Sequence, residues 1–588
     1  MSVSDPQIYQ DLLYLYGPKI APLAYERLEN LLAEFQQKNP GLARLTTADR
    51  VSQRDSVLIT YGDMVQEEGE APLRTLADFL ASHLANNIST VHVLPFYPYS
   101  SDDGFSVIDY QAVDPSLGEW EDVKQIGRYF RLMFDAVINH ISAESAWFQG
   151  FLRNDPRYRD YFIVVEPETD LSLVFRPRTL PLLTKVEQAS GQAEKTDRLV
   201  WTTFGADQID LNFASPALLL DILETLLFYV GQGAEFIRLD AIAYLWKEIG
   251  TNCLHLPQTH RLIQLMRRLL DRVVPGVALI TETNVPHEDN VSYFGDGLNE
   301  AQMVYNFSLP PLILHAFYSG NVMVLSRWAE TLTLPSEEAT FFNFLASHDG
   351  IGLTPLKGIL SESAIQALAR RVEMLGGRVS SKSNADGSTS PYELNINYLD
   401  ALGDPQNDGE EYALIARRFL ASQAIMLALR GVPGIYFHSL FGSRGWPAGV
   451  QVSGQARTIN REKLQRSVLE EELDDTTSLR NQIFHSYRHL LTLRQATLAF
   501  HPKADQQVLF VHEAVFSLLR SLPAANSHLI CLHNVSNQTH NVSINLTSLP
   551  IAGAARFLDL VGDSAYQAAS GLLSLTILPY QVLWLQCL

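Results

Sequence analysis

The sequence predicts an α/β protein: a (β/α)8 TIM barrel with inserted loop domains and a C-terminal antiparallel β domain. Three observations predict it. Eight short β-rich runs recur between residues 51 and 440, most of them separated by segments of helical spacing. Two of the connections are much longer than ordinary barrel loops and carry polar, Gly- and Pro-containing composition. After about residue 505 helical periodicity stops and short alternating segments replace it.

Residues 1–50 place apolar side chains at helical spacing, as in LAYERLENLLAEF, and form a helical lead-in. The barrel opens over 51–140 with the runs DSVLITYGD, STVHVLPFYP and LMFDAVINH. An inserted domain follows over 141–214, containing VFRPRTLPLLTK and a Gly-, Lys- and Glu-rich stretch. The barrel resumes over 215–349 with AEFIRLDAI, VALITETN, QMVYNFSL and TFFNFLASHD; helical segments precede the first two of these. A second inserted loop region, 350–403, includes SSKSNADGSTSPYELNINY. Residues 404–504 complete the barrel with GVPGIYF, and 505–588 form the β domain. Both insertions leave the C-terminal ends of strands, the face on which barrel enzymes carry their active sites.

The 588 residues hold 65 acidic and 44 basic side chains, a net charge of −21, so a nucleic-acid backbone or an anionic membrane is repelled overall. An anionic ligand must therefore find a local basic recess. Three cysteines at unrelated spacings, Cys253, Cys531 and Cys587, point to a reducing compartment and no zinc site. The N-terminus lacks a basic region leading into an apolar core, and no stretch approaches 18 uninterrupted apolar residues, so the expected location is the cytoplasm.

Polar clusters end the apolar runs: Asp135, Asn139 and His140 on the third, Arg238 and Asp240 on the fourth, Glu282 on the fifth, His348 and Asp349 on the seventh. A barrel brings these ends around one cavity. Converging carboxylates serve either metal binding or acid/base and nucleophilic chemistry. Arg238, two residues from Asp240 on the same strand face, favours an ionised, aimed nucleophile over a metal ligand. Glu282, at an apolar strand end, is placed for burial to raise its pKa, as a general acid requires. Taken singly, Asp240 is equally a helix cap, the histidines core residues and Arg238 half of a structural ion pair. Their joint occurrence at four strand ends favours two-carboxyl glycosidic chemistry.

At these residues the chain resembles glycoside hydrolase family 13, the α-amylase superfamily, through DAVINH, FIRLDAIAY, ITETN and LASHD in that order. The resemblance implies Asp240 as nucleophile, Glu282 as general acid/base and Asp349 as the third, sugar-gripping carboxylate, with Arg238, His140 and His348 holding the glucosyl unit. The stretches YPYSSDDGFSVIDY, FRPRTLPLLT, DQIDLNF, SHDGIGLTPLKGIL and SPYELNINYLDAL look like the sucrose phosphorylase subgroup and, within it, the branch acting on 2-O-α-glucosylglycerate. That similarity places Asp102 and Phe105 in the glucose pocket, Gln208 in support and Arg461 on the sugar. The implied reaction is retaining, with inorganic phosphate as co-substrate and neither cofactor nor metal.

Two positions depart from sucrose phosphorylase proper: Asn284 replaces a histidine, and Tyr392–Glu393 replaces a Tyr-Gln pair of a mobile loop. Both face the acceptor side and move glycerate ahead of fructose. Tyr244, Trp246 and Lys247 are expected to form the acceptor wall, with core packing as the alternative for Trp246, and the one dense basic segment, with Arg176, Arg178 and Lys185, to supply the phosphate site through Arg178 while Arg176 points to solvent. Phosphorylases of sucrose, sucrose 6'-phosphate or glucosylglycerol, and an α-glucoside hydrolase or transglucosidase, stay open as alternatives. A non-catalytic carbohydrate-binding protein is remote, because all three carboxylates are present. The expected partners are a small-molecule glucoside and phosphate, without nucleic acid or membrane, with a homodimer as the open oligomeric state.

Overall fold

The computed structural model describes residues 6–42, 50–189, 195–383, 388–407 and 409–588. Its centre is a closed barrel of eight parallel strands: β1 (Val57–Thr60), β2 (Thr90–Val93), β3 (Arg131–Ala136), β4 (Ala234–Leu239), β5 (Ala278–Thr281), β6 (Met303–Tyr305), β7 (Thr340–Phe344) and β8 (Val432–Tyr436). Each strand pairs with its neighbours in sequence, and β8 closes onto β1. These are the eight runs that the sequence predicts. They are nearly continuous in apolar or β-branched residues because a parallel barrel strand is covered on both faces, by helices outside and by the packed interior within. Every residue of β1, β2, β5, β6, β7 and β8 is buried.

Helix α1 (Pro6–Lys38) bends at Gly17, whose φ of 74° is open to glycine at little cost, and Pro18 follows it. Its buried Asp11 receives Arg261, 2.8 Å away, and Arg268; Glu29 receives Arg272 at 2.5 and 2.7 Å. These pairs fix the lead-in to α3 (Pro257–Val273), which follows β4, while α2 (Pro216–Gly231) precedes that strand. Helix α2 starts on Ser215, whose hydroxyl accepts from the Leu218 amide, with Pro216 at the first helical position. At the opposite end of the barrel from the insertions, the buried Arg494 of α4 (Leu479–Ala496) donates to the carbonyls of Gln53, Asp55 and Gly431 at 2.6 to 3.0 Å. One guanidinium thus ties the segments that lead into β1 and β8.

In the first insertion His140–Ser142 pairs antiparallel with Gln208–Asp210, and a three-stranded sheet of Val164–Val165, Lys195–Trp201 and Leu183–Ala189 extends from it. The second insertion differs from the expected loop. It forms a helix, Glu362–Met374, and a three-stranded antiparallel sheet with Thr389–Asn395 between Ile351–Gly352 and Arg378–Ser383. Tyr392 and Glu393 therefore sit on a central strand, held by ladder hydrogen bonds on both sides. The C-terminal region carries a six-stranded antiparallel sheet and a two-stranded one over a core of its own. No helix among the described residues is long and apolar enough to cross a membrane.

Candidate active site

The strand ends do converge. Arg238 lies beside Asp135 in the β4/β3 register, and its Nη1 donates to Asp135 and, at 3.0 Å, to Oδ1 of Asp240, just beyond β4. Its Nη2 is 3.8 Å from Oε2 of Glu282, just beyond β5. Asp135 is held from its other side by His92 Nε2 at 2.7 Å, with both side chains fully buried. Burial alone pushes the Asp135 carboxyl up, but His92 and Arg238 outweigh it and bring it down to about 2. The dyad of Asp135 and His92 anchors Arg238 from beneath.

Ala241 takes a left-handed conformation, φ 48° and ψ 35°, which costs a residue with a Cβ roughly 1 to 2 kcal/mol. The turn aims the Ala241 amide at Oε2 of Glu282, 3.1 Å away. Burial raises the carboxyls of both Asp240 and Glu282; the charges of Glu282, Asp135 and Asp349 add to the effect at Asp240 and that of Asp349 at Glu282, against the pull of Arg238. The sequence expectation that Arg238 keeps Asp240 ionised therefore omits the larger cause. Two buried acids that share one guanidinium share a proton. Because Arg238 stands 3.0 Å from Asp240 and 3.8 Å from Glu282, we place the charge on Asp240 and the proton on Glu282.

Asp349 behaves oppositely. Burial raises its carboxyl, but Arg457, His348 and Arg461 together hold it well below the usual carboxylate range. Arg457 Nη1 is 2.6 Å from Asp349 Oδ1, and Arg461 Nη2 is 3.6 Å from it. Arg461 also donates to the His348 carbonyl at 3.0 Å and to Asp103. Burial brings His348 down to about 3, so its ring is neutral at pH 7; it stacks on Phe105 at 4.7 Å. The loop that supplies Asp102 and Asp103 is strained at both residues, with φ of 54° and 48°. Gly104 follows with φ 106°, where a Cβ would come within 2.5 Å of the Pro95 carbonyl oxygen. His140 Nε2 lies 2.8 Å from the Phe105 carbonyl and 3.2 Å from Gln208 Nε2, which in turn reaches Asp102 at 3.4 Å.

One cavity is lined by Asp102, Phe105, His140, Arg178, Gln208, Asp240, Tyr244, Glu282, Asn284, His348, Asp349, Tyr392 and Glu393. Arg238 and Arg461 stand behind this wall, against the carboxylates. At the rim the two lysines depart from expectation, whereas Trp246 and Arg176 take the structural roles open to them. Lys247 is no part of the acceptor wall: it is buried between Asp210 at 2.6 Å and Asn139 at 2.8 Å, where two polar partners hold it. Trp246 packs against the hydrophobic core. Lys185 pairs with Asp197 at 2.8 Å on an exposed strand, and Arg176 turns back to the Leu180 carbonyl at 2.6 Å. Of the basic segment only Arg178 reaches the cavity, 3.6 Å from Asp102 and 5.7 Å from the centre of the Phe204 ring.

Sequence reasoning missed His92 beneath Asp135 and, at the cavity wall, Arg457. Arg457 joins Asp349 at 2.6 Å to Glu393 at 3.0 Å, while the Gly350 amide donates to Glu393 at 2.7 Å. Its signal is the four-residue spacing to Arg461 in RTINR, which a single turn over Ala456–Asn460 converts into two guanidiniums on one carboxylate. Arg457→Ala is expected to lower every reaction of the glucosyl unit, hydrolysis included, by roughly a hundredfold, since it removes the nearest cation from both Asp349 and Glu393. Comparing phosphorolysis and hydrolysis rates of the variant checks this. No group of three or more His, Cys, Asp or Glu among the described residues is arranged to hold a metal ion.

The part of the barrel that presents these three carboxylates to one pocket falls within residues 85–355, which match the family described as alpha amylase, catalytic domain, and this defines the class of the enzyme. The chain is 48% identical over 580 residues to the glucosylglycerate phosphorylase of Spirochaeta thermophila, covering 98% of this chain and 97% of that one. It is 45% identical over 533 residues to that of Escherichia coli, covering 90% and 92%. The crystal structure of sucrose 6F-phosphate phosphorylase from Thermoanaerobacter thermosaccharolyticum shares the fold, with a TM-score of 0.71 at 24% identity over 82% of this chain and 94% of that one. The chain belongs to the glucosylglycerate phosphorylase family.

Proposed function

We propose that the protein catalyses the reversible phosphorolysis of 2-O-α-glucosylglycerate to α-glucose 1-phosphate and glycerate by double displacement. Asp240 attacks the anomeric carbon while Glu282 protonates the departing glycerate oxygen; phosphate then attacks the β-glucosyl-enzyme from the face that glycerate has left. Asp349, held ionised by Arg457 and Arg461, binds sugar hydroxyls, and His140, His348, Phe105 and Asp102 enclose the glucosyl unit. No cofactor takes part in these steps. The observation that carries the reading is the cavity in which a charge-graded pair, Asp240 and Glu282, lies below the rim guanidinium of Arg178, while Arg457 in the same wall is taken up by Asp349 and Glu393.

Glu393 at first sight opposes an anionic acceptor. Its charge is matched by Arg457 and its oxygen is taken by the Gly350 amide, so it no longer repels a carboxylate at the rim. Arg178 is then the cation that meets the glycerate carboxylate and the phosphate in turn, because both approach the same side of the same carbon. Arg178→Ala is expected to weaken both together by roughly 1.5 to 3 kcal/mol, about ten- to a hundredfold in specificity constant. Hydrolysis by neutral water falls far less, so the ratio of hydrolysis to phosphorolysis rises. Equal losses in all three would make Arg178 a structural residue of its loop.

The reading is tested by incubating the protein with α-glucose 1-phosphate and glycerate, glycerol, fructose or fructose 6-phosphate in turn, and measuring phosphate release. Release is expected with glycerate well above the others. Release without any acceptor at the same rate would mark a hydrolase.

A further inference from the structure

Outward of the carboxylates the cavity opens into a second chamber of about 590 Å3, room for a ligand much larger than a three-carbon acid. It shares Arg178, Tyr392, Glu393 and Arg457 with the inner cavity. Beyond them it runs between Pro177–Leu180 of the first insertion and Ser380–Ser381 of the second, with Gln455 at its side.

The charged groups of this chamber already have partners within its own walls. Arg457 is committed to Asp349 and Glu393, and Arg178 faces Asp102 at 3.6 Å. Asp207 accepts the hydroxyls of Ser100, Ser101 and Ser106 at 2.6, 2.6 and 2.7 Å. A second anion thus finds no further cation here. What the wall adds is the hydroxyls of Thr179 and Ser381, the amide of Gln455, and the apolar surfaces of Pro177 and Leu180, the latter 49% exposed. Hydroxyls and an amide beside apolar faces suit a neutral sugar ring, whose hydroxyls need partners and whose C–H face needs a surface to pack on.

We infer that the outer chamber is a second acceptor-side subsite for a neutral sugar, so that the enzyme uses glycerate already glycosylated on its 3-hydroxyl as well as glycerate itself. The inference rests on the glycerate reading above. In the synthetic direction the bond from the anomeric carbon to phosphate breaks and a bond to the acceptor 2-oxygen forms. The proton of that hydroxyl leaves on inorganic phosphate, so atoms and charge balance without another reactant.

The test measures phosphate release from α-glucose 1-phosphate with glycerate and with 3-O-glucosylglycerate, for the native enzyme and for Ser381→Trp and Gln455→Trp, which fill the outer chamber from two sides. The native enzyme is expected to use the extended acceptor within about tenfold of glycerate, and each variant to lose more than about tenfold on the extended acceptor while keeping glycerate within about twofold. Release with glycerate alone, or equal losses on both acceptors in both variants, overturns the outer subsite. Release with the extended acceptor but not with glycerate overturns the glycerate reading and leaves the subsite standing; release with neither overturns both.

Discussion

Asp240→Asn is expected to lower turnover with α-glucose 1-phosphate and glycerate by a factor on the order of a thousand or more, the scale for losing a residue that forms a covalent intermediate. The amide keeps the shape of the side chain and an oxygen for the Arg238 guanidinium, 3.0 Å away in the native protein. What is lost is the negative charge that makes the carboxylate oxygen a nucleophile toward the anomeric carbon. Stability should move the other way. Burial pushes the Asp240 carboxyl up, so the folded state bears a cost for its charge, and a neutral amide relieves part of it. A melting temperature equal to or above that of the native enzyme, together with the loss of turnover, is the expected pair of results. Native activity in the folded variant would overturn the assignment of the nucleophile.

Glu282→Gln separates the reactions by what their leaving groups need. Glycerate departs as an alkoxide unless an acid protonates it, so phosphorolysis of glucosylglycerate is expected to fall by roughly a hundred- to ten-thousandfold. A glucosyl fluoride leaves without an acid, and phosphate attacks the glucosyl-enzyme as an anion without a base. Formation of α-glucose 1-phosphate from glucosyl fluoride should therefore survive within about tenfold. The sign of the pH dependence follows from the raised pKa of the buried Glu282. The protonated form is the acid, so phosphorolysis of glucosylglycerate is lost as pH rises through that value. The variant lacks this alkaline limb. Equal losses with both donors would argue that Glu282 only positions the site.

The barrel and its three carboxylates were legible because each acid lies just past the end of an apolar run, where a barrel gathers its strand ends. Asp240 and Glu282 directly follow AEFIRL and ALIT, Asp349 follows TFFNF after four residues, and their joint occurrence together with the resemblance of the four motifs singled them out. The contacts that set their charge states were not legible. Arg457 reaches Asp349 from a short irregular turn, which carries no periodicity to read. Lys247 looked like part of the acceptor wall because it follows the nucleophile strand, yet Asp210, brought back by the first insertion, draws it away from the cavity. The second insertion read as a loop because its outer strand, RVSSKS, is polar and partly exposed, so it lacks the alternation that marks a half-buried strand. The difference at Glu393 also changes meaning in three dimensions: as a sequence letter it adds a negative charge to the acceptor side, and in the structure that charge is already paired.

The most direct test of the central claim is to incubate the enzyme with 2-O-α-glucosylglycerate in phosphate buffer and follow the first products by NMR. The account predicts α-glucose 1-phosphate and glycerate in equal amounts, because two displacements at the anomeric carbon restore its configuration. β-Glucose 1-phosphate as the first product, or free glucose in place of the phosphate ester, would contradict it.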